Sequence, residues 1–189
     1  MGKKIETIIP YSENRHLGHA IFDMVKNCDD WILILDHDVS LITPIWHDKC
    51  QRAIDKLGHD AGWITCLTNR IGCRFQKNSH ISDKEENMDM HFAEAKWLHQ
   101  QFNGEIEEIK ETQFKFSGFF VLTHKKCFME VFRKFGMPGK KFLGWDNWYF
   151  DRVRELGYTT HVMKDVYCYH SYRRLWKDDF WIKAKEDSK

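Results

Sequence analysis

Trp31 to Leu35 are five consecutive apolar residues inside the stretch DDWILILDHDVSL, bracketed by aspartates on both sides. A run this short is a strand rather than a helix, and with no polar residue on either alternating face it must be covered on both sides, as strands inside a parallel sheet are. The chain is therefore expected to place helices against both faces of a sheet. Neighbouring segments supply them. KIETIIPY reads as a first strand stopped by Pro10, and NRHLGHAIFDMVKN as a helix with Leu17, Ala20, Ile21, Met24 and Val25 on one face. LITPIWHDKCQRAIDKLG predicts a helix with Thr43 as N-cap, Pro44 in the first turn, a stripe of Trp46, Cys50, Ala53, Ile54 and Leu57, and Gly58 at its end. AGWITCLT is the next strand, making two β-α-β steps, and NRIGCRFQKNS after it has loop composition. A polar segment, 79–113, holds a helix capped near Ser82 and closed at Gly104, and is the segment expected to be mobile or to face a partner. KFSGFFVLT, the amphipathic HKKCFMEVFRKFG, a turn-rich MPGKKFLG, the helix WDNWYFDRVRELGY and two closing strands, THVM and VYCYH, complete a layered α/β fold in one domain, 1–189. Residues 171–189 form a charged tail carrying Leu175, Trp176, Phe180, Trp181 and Ile182.

Charge and cysteine usage exclude several function classes. The 29 basic and 28 acidic residues leave a formal charge of +1, so no global field holds the chain on nucleic acid or an anionic membrane. The six cysteines show no CxxC pair, which predicts reduced, mostly buried thiols in a cytoplasm-like compartment. MGKKIETIIP meets Glu6 and Pro10 before a signal-length apolar stretch develops, and no uncharged apolar run approaches the roughly 20 residues that span a bilayer.

The acidic end of the second strand carries the chemistry. Asp36 and Asp38 are two apart, so in extended geometry both carboxylates face one side and His37 the other. Two carboxylates at about 4 Å repel by roughly 4 kcal/mol at an effective dielectric near 20, so they need solvent between them or a cation joining them. A hard divalent cation, Mg2+ or Mn2+, takes carboxylate oxygens and bridges to a diphosphate. A solvated turn or a cap for the next helix is the competing explanation for the same pattern.

Late in the chain stand FSGFFVLTHKKCFMEVFRKFG, FLGWDNWYFDRVRELGYTTHV and VYCYHSY, in that order. With IIPY near the start and LDHD at the second apolar strand, the set resembles the GT-A fold glycosyltransferases, particularly the large inverting family 2. Members begin with a strand ending in a Pro-containing loop and place an Asp-x-Asp after an apolar strand. They then present a Gly-containing strand followed by a helix, an acidic motif opening a helix that ends in a Gly-Tyr pair, and a His near the last strand. The resemblance runs from about Ile5 to Tyr172. It implies a three-layer α/β/α sandwich with a mostly parallel mixed central sheet, and a metal-dependent, inverting transfer of a hexose-like sugar from a nucleotide-sugar donor.

Residue by residue, the resemblance implies Asp38 as a metal ligand, Asp36 near the ribose or the metal, and His170 completing the site for Mn2+ or Mg2+. Asp146 of GWDN would be the general base for an acceptor hydroxyl; an acid at a helix start is otherwise a cap. Gly118 would allow close approach to a sugar, or mark a strand bulge. Pro10 and Tyr11 would form the nucleotide-side loop, with Tyr11 stacked on a base or part of the core. Arg70 would hold phosphate or donor sugar, or sit in a solvated loop. Arg173 and Arg174 would close over the diphosphate or belong to the charged tail.

Two departures stand out. MVKNCDDWILIL runs from the first helix directly into the Asp-x-Asp strand, so the nucleotide half is shortened and the base is not specified. Trp145 stands where family members commonly carry a first acid; it would be a sugar platform or core. Two other functions use the same residues: a non-catalytic module that binds nucleotide-sugar or serves in assembly, and a metal-dependent phosphohydrolase. The acceptor, whether saccharide, lipid or protein, is not written in the motifs.

Overall fold

The computed structural model describes residues 3–11, 16–111, 113–137 and 144–171. In chain order its elements are β1 (Ile5–Ile8), α1 (Leu17–Val25), β2 (Trp31–Leu35), β3 (Val39–Leu41), α2 (Trp46–Leu57), β4 (Ala61–Thr68), α3 (Met88–Phe102), β5 (Ile106–Glu108), β6 (Phe120–His124), α4 (Lys125–Phe135), α5 (Trp145–Glu155) and β7 (Thr159–His170). The strands form one mixed sheet ordered β1-β2-β6-β4-β7-β3, with β5 also beside β7. β1 pairs with β2 and β4 with β7 in parallel; the pairings β2–β6, β4–β6, β3–β7 and β5–β7 are antiparallel. Four strands thus share one direction while most pairings join opposed strands.

β2 is buried along its whole length, as its composition requires, and its alternating residues separate two cores. Ile32 and Ile34 pack with residues of α1, α4 and α5, among them Ile21, Phe128 and Tyr149. Trp31, Leu33 and Leu35 pack with Cys50, Ala53 and Ile54 of α2 on the other face. Burying five such side chains stabilises the fold by on the order of 10 kcal/mol, an upper figure because unfolded chains already hide part of that surface. All six cysteines are buried free thiols. No helix among the described residues is long and apolar enough to cross a membrane.

Several local expectations are corrected. The first β-α-β step, β1–α1–β2, is parallel and adjacent, but β2 and β4 of the second are separated by the antiparallel β6, which supplies hydrogen bonds to both. α2 starts at Trp46 after Ile45, which has a left-handed φ of 56°. Thr43 is therefore no N-cap: its buried hydroxyl accepts from the Tyr167 N–H at 2.8 Å and donates to the Tyr167 carbonyl at 3.3 Å, splicing the β3–α2 loop onto β7. α3 is capped by Asn87, whose side chain accepts from the Asp89 N–H, rather than by Ser82. Within the polar segment, His91, Ala95 and Leu98 of α3 are buried, and His91 Nδ1 lies 2.8 Å from the Tyr167 hydroxyl. The two closing strands are one, β7, with its register to β4 shifting between Met163 and Tyr167.

One property of the topology positions chemistry. The shared direction of β1, β2, β4 and β7 puts the residues after Ile8, Leu35, Thr68 and His170 at a single edge of the sheet, where β6 begins.

Candidate metal centre

Asp36, Asp38 and His170 meet at that edge, with one ligand atom from each within 4.8 Å of the others. The aspartates are aligned by a turn rather than by strand alternation. Asp36 donates its N–H to the Phe119 carbonyl at the mouth of β6, 3.1 Å, and the Val39 N–H returns to the Asp36 carbonyl at 3.3 Å. The chain then enters β3, where Val39 is the register partner of His170 and the Ser171 N–H reaches the Asp38 carbonyl at 3.1 Å. β3, a strand of three residues without a sequence signal, brings residue 38 to residue 170. His37 is exposed.

His170 is held at three points. Its N–H donates to Asn69 Oδ1 at 2.8 Å and its carbonyl accepts from Asn69 Nδ2 at 3.3 Å, so the buried Asn69 side chain continues the β4–β7 ladder where backbone pairing ends. Its Nδ1 lies 3.0 Å from the Arg70 carbonyl, which only accepts, so Nδ1 is the donor in this contact. The ring stacks on Phe119, centroids 5.9 Å apart and planes 21° apart. The Nε2 atom is buried, has no hydrogen-bond partner among the described residues and stands 3.4 Å from Asp38 Oδ2; the two side chains are 8% and 11% exposed. An imidazole nitrogen this close to a carboxylate in a dry corner is stabilised by a cation between them, either a proton, which makes the pair an ion pair, or a metal ion.

This donor set fits Mg2+ or Mn2+. Two carboxylates and one neutral imidazole suit a hard or borderline dication. Ligand atoms about 2.1 Å from an octahedral ion are about 3 Å apart in neighbouring positions, so spacings up to 4.8 Å close with small side-chain movements.

Asp146 stands at the first turn of α5, half-buried, and is joined to the same edge through β6. Its Oδ2 accepts from the Gly118 N–H at 3.1 Å and its Oδ1 from the Asn147 N–H at 2.9 Å. Gly118 directly precedes Phe119, the residue that touches both Asp36 and His170. A Cβ at Gly118 would lie 2.8 Å from Asp146 Cβ and 3.2 Å from Trp145 Cζ2, so the approach of α5 excludes a side chain there. Trp145 is core: it is 4% exposed and stacks parallel to Trp63.

Pro10 and Tyr11 follow β1 at the same edge, with Tyr11 77% exposed rather than in the core. Arg70 contributes its backbone carbonyl to the centre and is half-buried. Arg173, Arg174 and the apolar tail residues lie outside the described residues. Sequence reading missed three supports: Asn69, Phe119 and Gln76. The fully buried Gln76 accepts the Ser117 N–H at 2.8 Å and donates to the Ser117 carbonyl at 2.9 Å and to Thr65 Oγ1 at 3.0 Å, fixing the segment that presents Gly118 to Asp146. Asn69 was within sight, beside Arg70 in TNR, but an amide that replaces strand pairing carries no local signature. A scan against protein-family models finds no match to this chain, and neither does a search of curated proteins.

Proposed function

We propose that the chain is a GT-A-type, family 2-like glycosyltransferase that moves a sugar from a nucleoside-diphosphate donor to an acceptor hydroxyl with inversion. The observation that carries this reading is the meeting of Asp36, Asp38 and Nε2 of His170 at the strand edge where Gly118 also holds Asp146. Asp36, Asp38 and His170 would hold Mg2+ or Mn2+, which when bound neutralises charge on a diphosphate leaving group. The exposed Tyr11 offers a face for a base, and Pro10 shapes its loop. Asp146, oriented by two backbone N–H groups, takes the proton of the acceptor hydroxyl as its oxygen bonds to the anomeric carbon and the bond to the diphosphate breaks.

The test is a panel of UDP-, GDP- and dTDP-sugars with Mn2+ and a mixed acceptor library, read as release of nucleoside diphosphate and mass of the glycosylated product. Sugar transfer that disappears in Asp38→Ala supports the reading. Release of inorganic phosphate or cleavage of the donor pyrophosphate without a glycosylated product replaces it with hydrolysis, and donor binding without turnover across the library replaces it with a binding module.

A further inference from the structure

A second, separate cleft lies where α2 crosses β5, β7 and the turn after α3. It encloses about 260 Å³ and is walled by Lys49, Arg52 and Lys56 of α2, by Asn103 and Gly104, and by Asp165, over an apolar floor of Ala53, Ile106 and Met163. Asp165 precedes His170 by five residues on β7, in the irregularity where the register to β4 shifts, and no lining residue of this cleft belongs to the candidate metal centre.

Its charge is unbalanced in a specific way. Lys49 is 4% exposed, an unusual place for an ammonium, and it forms a buried ion pair with Asp165. Asp165 Oδ2 also accepts the Gly104 N–H at 2.7 Å, and Lys49 Nζ donates to His99 Nδ1 at 2.9 Å. Those two acceptors use two of the three ammonium hydrogens, and among the described residues the third has no partner. Arg52 and Lys56, three and seven residues along the same helix, rise to the exposed rim. Arg52 spends only its Nε, on the Asp48 carbonyl, and neither Arg52 nor Lys56 has an ion-pair partner among the described residues. Asp48 and Asp55 flank them on α2 without lining the cleft, and Asp55 accepts from Gln51. With Lys49 and Asp165 cancelling, the walls carry two positive charges, a buried N–H and two free rim donors, above an apolar floor.

We infer that this cleft binds a phosphomonoester: a dianion whose three oxygens only accept hydrogen bonds, carried on a small organic group. The two net positive charges match a phosphate near neutral pH, and the oxygens match the donors of Lys49, Arg52 and Lys56. The floor of Ala53, Ile106 and Met163 takes the organic group, which separates this ligand from free inorganic phosphate. The inference uses no part of the transferase reading.

The test is calorimetric titration of the full chain in chelator-resin-treated, metal-free buffer at constant ionic strength, with phenyl phosphate, inorganic phosphate and benzoate as probes. Phenyl phosphate is expected to bind most tightly, inorganic phosphate more weakly and benzoate weakest. The rim double variant Arg52→Ala, Lys56→Ala removes two charged hydrogen bonds from exposed positions, and is expected to weaken phenyl phosphate binding about a hundredfold. Asp38→Ala, at the metal centre, is expected to leave that affinity unchanged. The inference is overturned if neither phosphate binds, if benzoate matches phenyl phosphate, if the rim variant binds as the parent does, or if Asp38→Ala abolishes binding.

Discussion

Asp36→Asn tests the proposed metal site, because it is expected to act in opposite directions on the protein without and with a cation. Without a cation, ligand oxygens of Asp36 and Asp38 within 4.8 Å of each other repel by about 3.5 kcal/mol at an effective dielectric of 20. Water at the half-buried Asp36 screens most of that, leaving about 1 kcal/mol to be gained by neutralising it. For a chain of 189 residues this raises Tm by about 2 to 4 °C in metal-free buffer. With Mn2+ at about a hundred times its Kd, the parent gains about 2.7 kcal/mol by linkage, roughly 5 to 10 °C, while the variant loses most of that gain. Differential scanning calorimetry of both proteins, with and without Mn2+, supplies the four midpoints. A variant less stable than the parent in metal-free buffer, yet gaining as much from Mn2+, would refute a shared cation site at Asp36 and Asp38.

Three further predictions test the supports. Gly118→Ala puts a methyl 2.8 Å from Asp146 Cβ; forcing α5 back is expected to cost about 1 to 3 kcal/mol in urea unfolding and, by moving Asp146 about 1 Å, to lower the rate of the proposed sugar transfer about a hundredfold with little change in binding of the proposed donor. Asn69→Ala removes both hydrogen bonds that hold the backbone of His170, and is expected to lower stability by about 1 to 3 kcal/mol and to weaken the Mn2+-induced Tm shift; an unchanged shift would remove Asn69 from the site. His124 is buried and uses both ring nitrogens, Nε2 donating to the His59 carbonyl and Nδ1 accepting from the Cys127 N–H, both at 3.1 Å, and burial pushes its pKa down to about 4. Its contribution is present above the unfolded-state value of 6.5 and is lost as pH falls toward 4, about 3 kcal/mol in all. Urea midpoints of the parent against His124→Asn between pH 7 and pH 4 should converge, and a constant gap would contradict this.

What the sequence made legible was local and apolar. β2 is buried throughout and reads as such, β4 reads as a strand, the α2 stripe buries Cys50, Ala53 and Ile54, and the amphipathic pattern of α4 buries Cys127, Phe128, Val131 and Phe132. β7 read as two strands because Lys164 and Asp165 interrupt the apolar run, yet Asp165 is buried against Lys49, a partner 116 residues away that periodicity cannot reveal. β3 was hidden because three residues between an acidic turn and Pro44 carry no pattern of their own; its existence depends on β7. The aspartates and His170 were individually visible, whereas their supports, Asn69, Phe119 and Gln76, are identified only by what they touch.

The position of β6 also bears on how the protein is made. β2 and β4, the two most apolar strands, meet only through a strand that begins at Phe120, so a nascent chain of some hundred residues has both already synthesised and no means of joining them. Until Phe120–His124 leaves the ribosome, two greasy, hydrogen-bond-hungry ribbons stay open to one another and to other chains. Yield during expression should therefore respond to chaperone supply and to translation speed through residues 70–120 more than to the stability of the finished protein.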